Sequence, residues 1–203
     1  MTKRGVFKLV AALALAGGLG VSASAEEKLA CSLSVSPMKA DSAVKKSGGG
    51  NRGRGSGSST TTFERNLKYK AVASFRGPAP DKPVLKVWYV GVGDGGKEMI
   101  EVGKDEHPLE LNEKGRATLE LVSPTTKMTK TKTTTQSGGR NSGGGGGTKS
   151  TTTGERVTGC VIQVFAGGEL MKSWVSDSRW AKAARDPSFT IEKIDPKSAA
   201  KKK

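Results

Sequence analysis

Val161-Ile162-Gln163-Val164-Phe165, then Gly167-Gly168, then Leu170-Met171-Lys172-Ser173-Trp174-Val175 is the stretch that decides the fold. Two runs rich in β-branched, aromatic and long apolar residues flank a glycine pair. Paired glycines accept the positive φ that a tight hairpin turn demands. The stretch therefore reads as an antiparallel β-hairpin.

The same signal repeats outward along the chain. Leu67, Tyr69, Ala71, Ala73 and Phe75 alternate with mostly polar or charged residues, the period of a half-buried strand. Leu29 to Ser36 alternates as well, with Cys31, Leu33 and Val35 on one face. Val84 to Val90 is β-branched and aromatic, which predicts Trp88 and Tyr89 on opposite faces of one strand. Ala117, Leu119 and Leu121 supply another alternating set. One short C-terminal helix is expected over Arg179–Arg185, capped by Asp177 or Ser178 and stopped by Pro187. Several short strands separated by turn residues predict an all-β fold, an antiparallel β-sandwich.

The nearest named architecture is the immunoglobulin-like sandwich. The order Cys31, Trp88, Cys160 resembles the cysteine–tryptophan–cysteine order of such domains. Thr158 stands two residues before Cys160, where those domains carry a tyrosine, so the resemblance implies architecture and no shared function.

Two low-complexity inserts interrupt the strands, at 45–59 and 136–150. Of the chain's 28 glycines, thirteen fall at 48–57 and 138–147. Glycine/serine tracts of this kind bury too little to offset the entropy of ordering, so both inserts are expected to be flexible. Each leads into the same phrase, Ser59-Thr-Thr-Thr-Phe-Glu64-Arg65 and Ser150-Thr-Thr-Thr-Gly-Glu155-Arg156. With strands alternating up and down, both inserts emerge at one end of the sandwich, joined there by Gly91–Gly96 and Asn112–Gly115.

Residues 1–25 read as a secretory signal peptide. Lys3, Arg4 and Lys8 precede an apolar run from Leu9, and Ala23-Ser24-Ala25 offers a cleavage site before Glu26. The run is shorter than the ~20 residues a membrane-spanning helix needs, and no second one follows, so no transmembrane segment is expected after cleavage. The expected localisation is periplasmic, cell-surface or extracellular. The remainder is then one domain over 26–195 and a basic tail over 196–203. An oxidising compartment predicts a disulfide between Cys31 and Cys160. Closing a loop of about 130 residues, it would contribute up to ~5 kcal/mol.

Motifs that suggest chemistry mostly dissolve on inspection. Gly91-Val92-Gly93-Asp94-Gly95-Gly96 fits G-x-G-x-x-G, but no helix opens at its third glycine, so it reads as a turn between strands. Gly143 to Ser150 approaches a phosphate-binding loop, with Thr148 in place of the required glycine. Ser42 and Lys45 have the spacing of a serine–lysine dyad beside a low-complexity tract. Asp94, Glu98, Glu101, Asp105, Glu106, Glu110 and Glu113 surround the single histidine, His107. They lack the regular spacing and glycine turn of a calcium loop and read as a solvated face. One histidine and two distant cysteines make no standard zinc site. The expectation is a non-catalytic chain with no cofactor and no metal.

Charge is the functional lead. Beyond residue 25 the chain keeps 31 of its 34 basic residues and all 19 acidic ones. Lys45, Lys46, Arg52 and Arg54 fall in or beside the first insert, and Lys127, Lys130, Lys132, Arg140 and Lys149 along the second. Such clusters attract polyanions. Export makes nucleic acid an unsuitable native partner and favours acidic polysaccharide, an envelope component or an acidic protein. The alternative is a subunit of an extracellular or envelope assembly, with Thr125–Thr135 lending an exposed strand edge to a neighbour.

Overall fold

The computed structural model describes residues 28–49, 57–96, 98–135 and 147–194. The expected signal peptide and basic tail, with Arg52, Arg54 and Arg140, lie outside the described residues.

The described residues form eleven strands in order: β1 (Ala30–Met38), β2 (Ser42–Gly49), β3 (Gly57–Arg65), β4 (Lys68–Arg76), β5 (Val84–Val92), β6 (Met99–Pro108), β7 (Arg116–Val122), β8 (Thr126–Thr135), β9 (Gly147–Gly154), β10 (Arg156–Ala166) and β11 (Glu169–Val175). They form three antiparallel sheets, ordered β1-β4-β7, β11-β10-β5-β6 and β2-β3-β8-β9. The protein is all-β and poor in helix. Every strand expected from alternation is present, and the glycine pair turns the β10–β11 hairpin with φ of 57° and 82°.

The first two sheets share a core. Tyr69, Ala71, Ala73 and Phe75 of β4, with Ala117 and Leu121 of β7, cluster with Leu85, Val87 and Tyr89 of β5 and with Cys160, Ile162 and Val164 of β10. The second face of the four-stranded sheet is covered too. Trp88, Val90 and Val161 pack there against Trp180, Ala184, Phe189, Ile191 and Ile194. Burial on both faces accounts for the unbroken apolar character of Val87–Val90. Trp88 and Tyr89 do point to opposite layers.

The covering C-terminal segment corrects one expectation. Arg179–Arg185 is not an α-helix but two short 3-10 turns, Ser178–Trp180 and Ala183–Arg185. Asp177 caps the first as expected, accepting from the Arg179 backbone N–H at 3.0 Å. Seven residues are too few to offset α-helix nucleation. Here Gln163, fully buried on β10, donates its side-chain amide to the carbonyls of Ala184 (2.9 Å) and Asp186 (2.7 Å), fixing the turns instead.

The expected disulfide is likewise corrected: Cys31 and Cys160 are both free thiols. Cys31 lies opposite Phe75, at the start of β1, whereas Cys160 lies beside Tyr69, which stands opposite Pro37. Six residues of strand separate those two levels, about 20 Å, and a disulfide needs Cα atoms within ~7 Å. Burial pushes the Cys160 thiol up to about 12, against a smaller lowering by the Tyr69 hydroxyl. Burial raises Cys31 as well, opposed by the charge of Lys172.

Candidate functional site

The third sheet is built from segments whose composition predicts flexible linker. Lys45–Gly49, Gly57–Ser59 and Gly147–Ser150, all inside the expected inserts, are strand. The four strands are continuations of strands in the two core sheets. β1 runs on into β2, β3 into β4, β7 into β8 and β9 into β10. β3 pairs with β8, with Gly57 opposite Thr134, so both hairpins project from one end.

Of the two loops expected to join them, one does. Asp94, in the Gly91–Gly96 turn, accepts from the Gly154 backbone N–H at 2.5 Å. Asn112–Gly115 sits at the far end instead, where the Gly115 carbonyl accepts from the Phe75 amide. β7 starts there, at Arg116, and only its other end feeds the projecting sheet.

Polar side chains hold the joint. Among the described residues Asn66, Ser123 and Thr126 are three of the four buried polar ones, the other being Gln163. The Thr126 hydroxyl donates to the Arg65 carbonyl at 3.0 Å and accepts from the Val157 amide at 3.1 Å, linking three strands. Ser123 accepts from the Leu67 amide at 2.8 Å, and Asn66 accepts from that of Asp41 at 2.9 Å. Lys68 pairs with Asp41 at 2.8 Å, and together with Asn66 it lowers the Asp41 pKa.

The repeated phrase has a matched place. Ser59 and Ser150 both stand opposite Lys132, Thr60 and Thr151 opposite Thr131, Thr61 and Thr152 opposite Lys130, and Thr62 and Thr153 opposite Thr129. The copies flank β8 in one register. They differ where Phe63 of the first is Gly154 of the second. Gly154 has φ of 92°, and a Cβ there would stand 2.3 Å from the Lys127 carbonyl oxygen. Only glycine lets that strand step into β10.

Six of the nine cations named from sequence meet in this sheet: Lys45, Lys46, Lys127, Lys130, Lys132 and Lys149. Directly paired residues share a face and neighbours along a strand alternate, so the two faces can be separated. Lys46, Lys130 and Lys132 lie on one face, with Val44, Phe63 and Met128. Lys45, Lys127 and Lys149 lie on the other, with Glu64, Thr60, Thr62, Thr129 and Thr131. Lys45 reaches Glu64 at 3.8 Å; among the described residues the other five lysines make no ion pair. On the first face Lys46 and Lys130 root two strands apart, about 10 Å, and Lys130 and Lys132 about 7 Å. Those spacings approach the ~8 Å screening length of physiological salt, so their potentials add.

The sheet is solvated on both faces. Val44 is 54% exposed, and its register partners Phe63 and Met128 are half-buried. These three form an apolar row that the sequence analysis missed. Detecting it requires the β2–β3–β8 register, which a glycine- and threonine-rich composition hides. The row borders a hollow of about 300 Å³ that Lys130, Arg65 and Arg156 also line, with Glu64 and Glu155.

The remaining chemical candidates separate. Ser42 and Lys45 are three apart on one strand and point to opposite faces, so they form no dyad. His107 stands opposite Leu85 on β6, and Glu106 pairs with Lys86 at 3.1 Å. Among the described residues no cluster of three or more His, Cys, Asp or Glu could hold a metal ion. Thr125–Thr135 is also no edge, because β8 is paired on both sides; the edges of this sheet are β2 and β9. No family model matches the chain, and no curated protein or solved structure does either.

Proposed function

We propose that the chain is an exported, non-catalytic binding module in which a two-layer, immunoglobulin-like β-sandwich carries a projecting cationic sheet that binds acidic polymers. Convergence of six lysines on one sheet, with a single ion pair among the described residues, carries the reading. The sandwich rests on the core shared by β1-β4-β7 and β11-β10-β5-β6. Without the two projecting hairpins, seven strands remain in layers of three and four, the count of an immunoglobulin constant domain. Acidic polysaccharide, an acidic envelope component or an acidic protein would each meet the same lysines.

The test is binding to dextran sulfate and to neutral dextran across a salt series, for the chain starting at Glu26. The expected result is affinity for the sulfated polymer alone, falling as salt rises. Replacing Lys46, Lys130 and Lys132 by Gln together should weaken it about tenfold, since exposed ion pairs contribute up to ~1 kcal/mol each. Salt-indifferent binding, or a triple variant that binds as before, would sink the proposal. A second reading, a subunit of an envelope assembly, rests on β2 and β9, which are the edges of this sheet among the described residues and would take strand addition. Light scattering on the same samples decides it, because a chain monomeric at high concentration cannot assemble through those edges.

A further inference from the structure

The two faces of the projecting sheet are chemically unlike, and the difference points to a ligand. The Lys45 face is threonine and lysine, with its one carboxylate, Glu64, engaged by Lys45. The opposite face is amphipathic. Val44, Phe63 and Met128 stand side by side across three strands, a row about 10 Å long. Two residues further along the same face, about 7 Å away, Lys46 and Lys130 flank Thr61, with Lys132 beyond.

We propose that this face binds an anionic phospholipid, the acyl chains lying on Val44, Phe63 and Met128 and the phosphate held by Lys46 and Lys130. The inference rests on the anion-binding reading above and narrows it to one face and one chemistry. Charge complementarity selects the occupant. A second copy of the chain would bring lysines against lysines, and a neutral apolar partner would leave three cations unanswered. A sulfated or uronic polymer satisfies the lysines and leaves the apolar row wet. A phospholipid satisfies both. Lysine stems are themselves apolar and extend over such a surface while the ammonium stays at the headgroup. Val44, Phe63 and Met128 also line the hollow of about 300 Å³, where Arg65 and Arg156 stand with Glu64 and Glu155, and its apolar side gives the chains a place to lie.

The experiment is calorimetric titration of the chain starting at Glu26 with monomeric dihexanoyl-phosphatidylglycerol. The comparisons are dihexanoyl-phosphatidylcholine, glycerol phosphate and dextran sulfate. The expected order is the anionic lipid at least about tenfold tighter than either the zwitterionic lipid or the bare headgroup. Val44→Ser and Met128→Ser, separately, should each weaken the lipid severalfold and leave dextran sulfate unchanged. Lys114→Ala, in the Asn112–Gly115 turn at the far end of the body, should leave the lipid unchanged. Val44 lies on an edge strand and is mostly solvated, so its variant keeps the fold even where the Met128 variant does not. Glycerol phosphate binding as tightly as the lipid would overturn the lipid assignment. So would equal losses from Lys114→Ala and Lys130→Ala. In both cases dextran sulfate affinity would still stand for the broader reading, and its absence would remove that reading too.

Discussion

The body and the projecting sheet use the same strand geometry and opposite means of support. In the body, Val87, Tyr89, Ile162 and Val164 have no exposed surface, and one sheet is buried on both faces. In the projection the largest apolar side chains, Val44, Phe63 and Met128, are half-buried or exposed, and threonine and lysine make up most of the rest. A fully buried aliphatic side chain contributes ~1.5–3 kcal/mol, whereas a net hydrogen bond contributes ~0.5–1.5. A sheet with no fully buried face therefore stands only while something else fixes its base. In this chain, strands already ordered by the core continue into it. The body supplies stability, and the projection presents charge.

Core truncation gives the sharpest contrast. Ile162→Ala should cost about 2–5 kcal/mol in denaturant unfolding, through lost transfer energy and the cavity left behind. Thr131→Ala, at the centre of the projecting sheet, should fall within ~0.5 kcal/mol of the parent. Comparable losses at the two sites would break the comparison. They would mean that the projection contributes to the cooperative core.

The joint should give an intermediate effect. Thr126→Val keeps the shape, removes the donor to Arg65 and leaves the Val157 amide unpaired in a buried place. An unsatisfied buried group costs ~1–3 kcal/mol. Hydrogen exchange locates the loss. Amides of β3 and β8 should exchange much faster in the variant, while those of Ile162 and Val164 should speed up only by the fall in global stability. Unchanged exchange in β8 would show that the strands hold the projection without their polar joint.

The contrast also explains what the sequence disclosed. Strands with one buried face write their period into the chain, as Leu67 to Phe75 and Ala117 to Leu121 do. The β10–β11 turn was legible because two adjacent glycines have few other uses between apolar runs. The projecting strands have no buried face and so no hydrophobic period. Lys45–Gly49 and Gly147–Ser150 could only read as linker, and their pairing through β8 is a tertiary fact. The candidate lysines were legible as charge, but their sorting onto two faces was not. That sorting depends on register, which a strand with no buried face specifies weakly. The disulfide expectation failed for a related reason. Compartment chemistry says that two cysteines pair, but cannot say that Cys31 and Cys160 stand at opposite ends of one core. The cap at Asp177 was readable, whereas the conversion of a helix to 3-10 turns depended on Gln163, 14 residues upstream of it.

The smallest effect belongs to the segment that covers the outer face of the body. The Asp186 carboxylate holds Lys193 at 2.6 Å and accepts from the Ser188 hydroxyl at 2.7 Å and amide at 2.9 Å. Those contacts, the Lys193 bond foremost, lower its pKa to about 2. A carboxyl with a folded pKa below its unfolded value of ~3.9 binds its proton more readily in the unfolded chain. Its contribution is complete above that unfolded value and fades as pH falls toward 2. Asp186 is solvent-exposed, so the change should be slight. Thermal unfolding of the parent and of Asp186→Asn should differ near neutral pH and converge in that acid window. Curves that stay parallel down to pH 2 would mean that Ser188 and Lys193 hold the turn without the carboxylate. The body's outer cover would then rest on Phe189 and Ile191 packing against the sheet, a support of the same kind as its inner core.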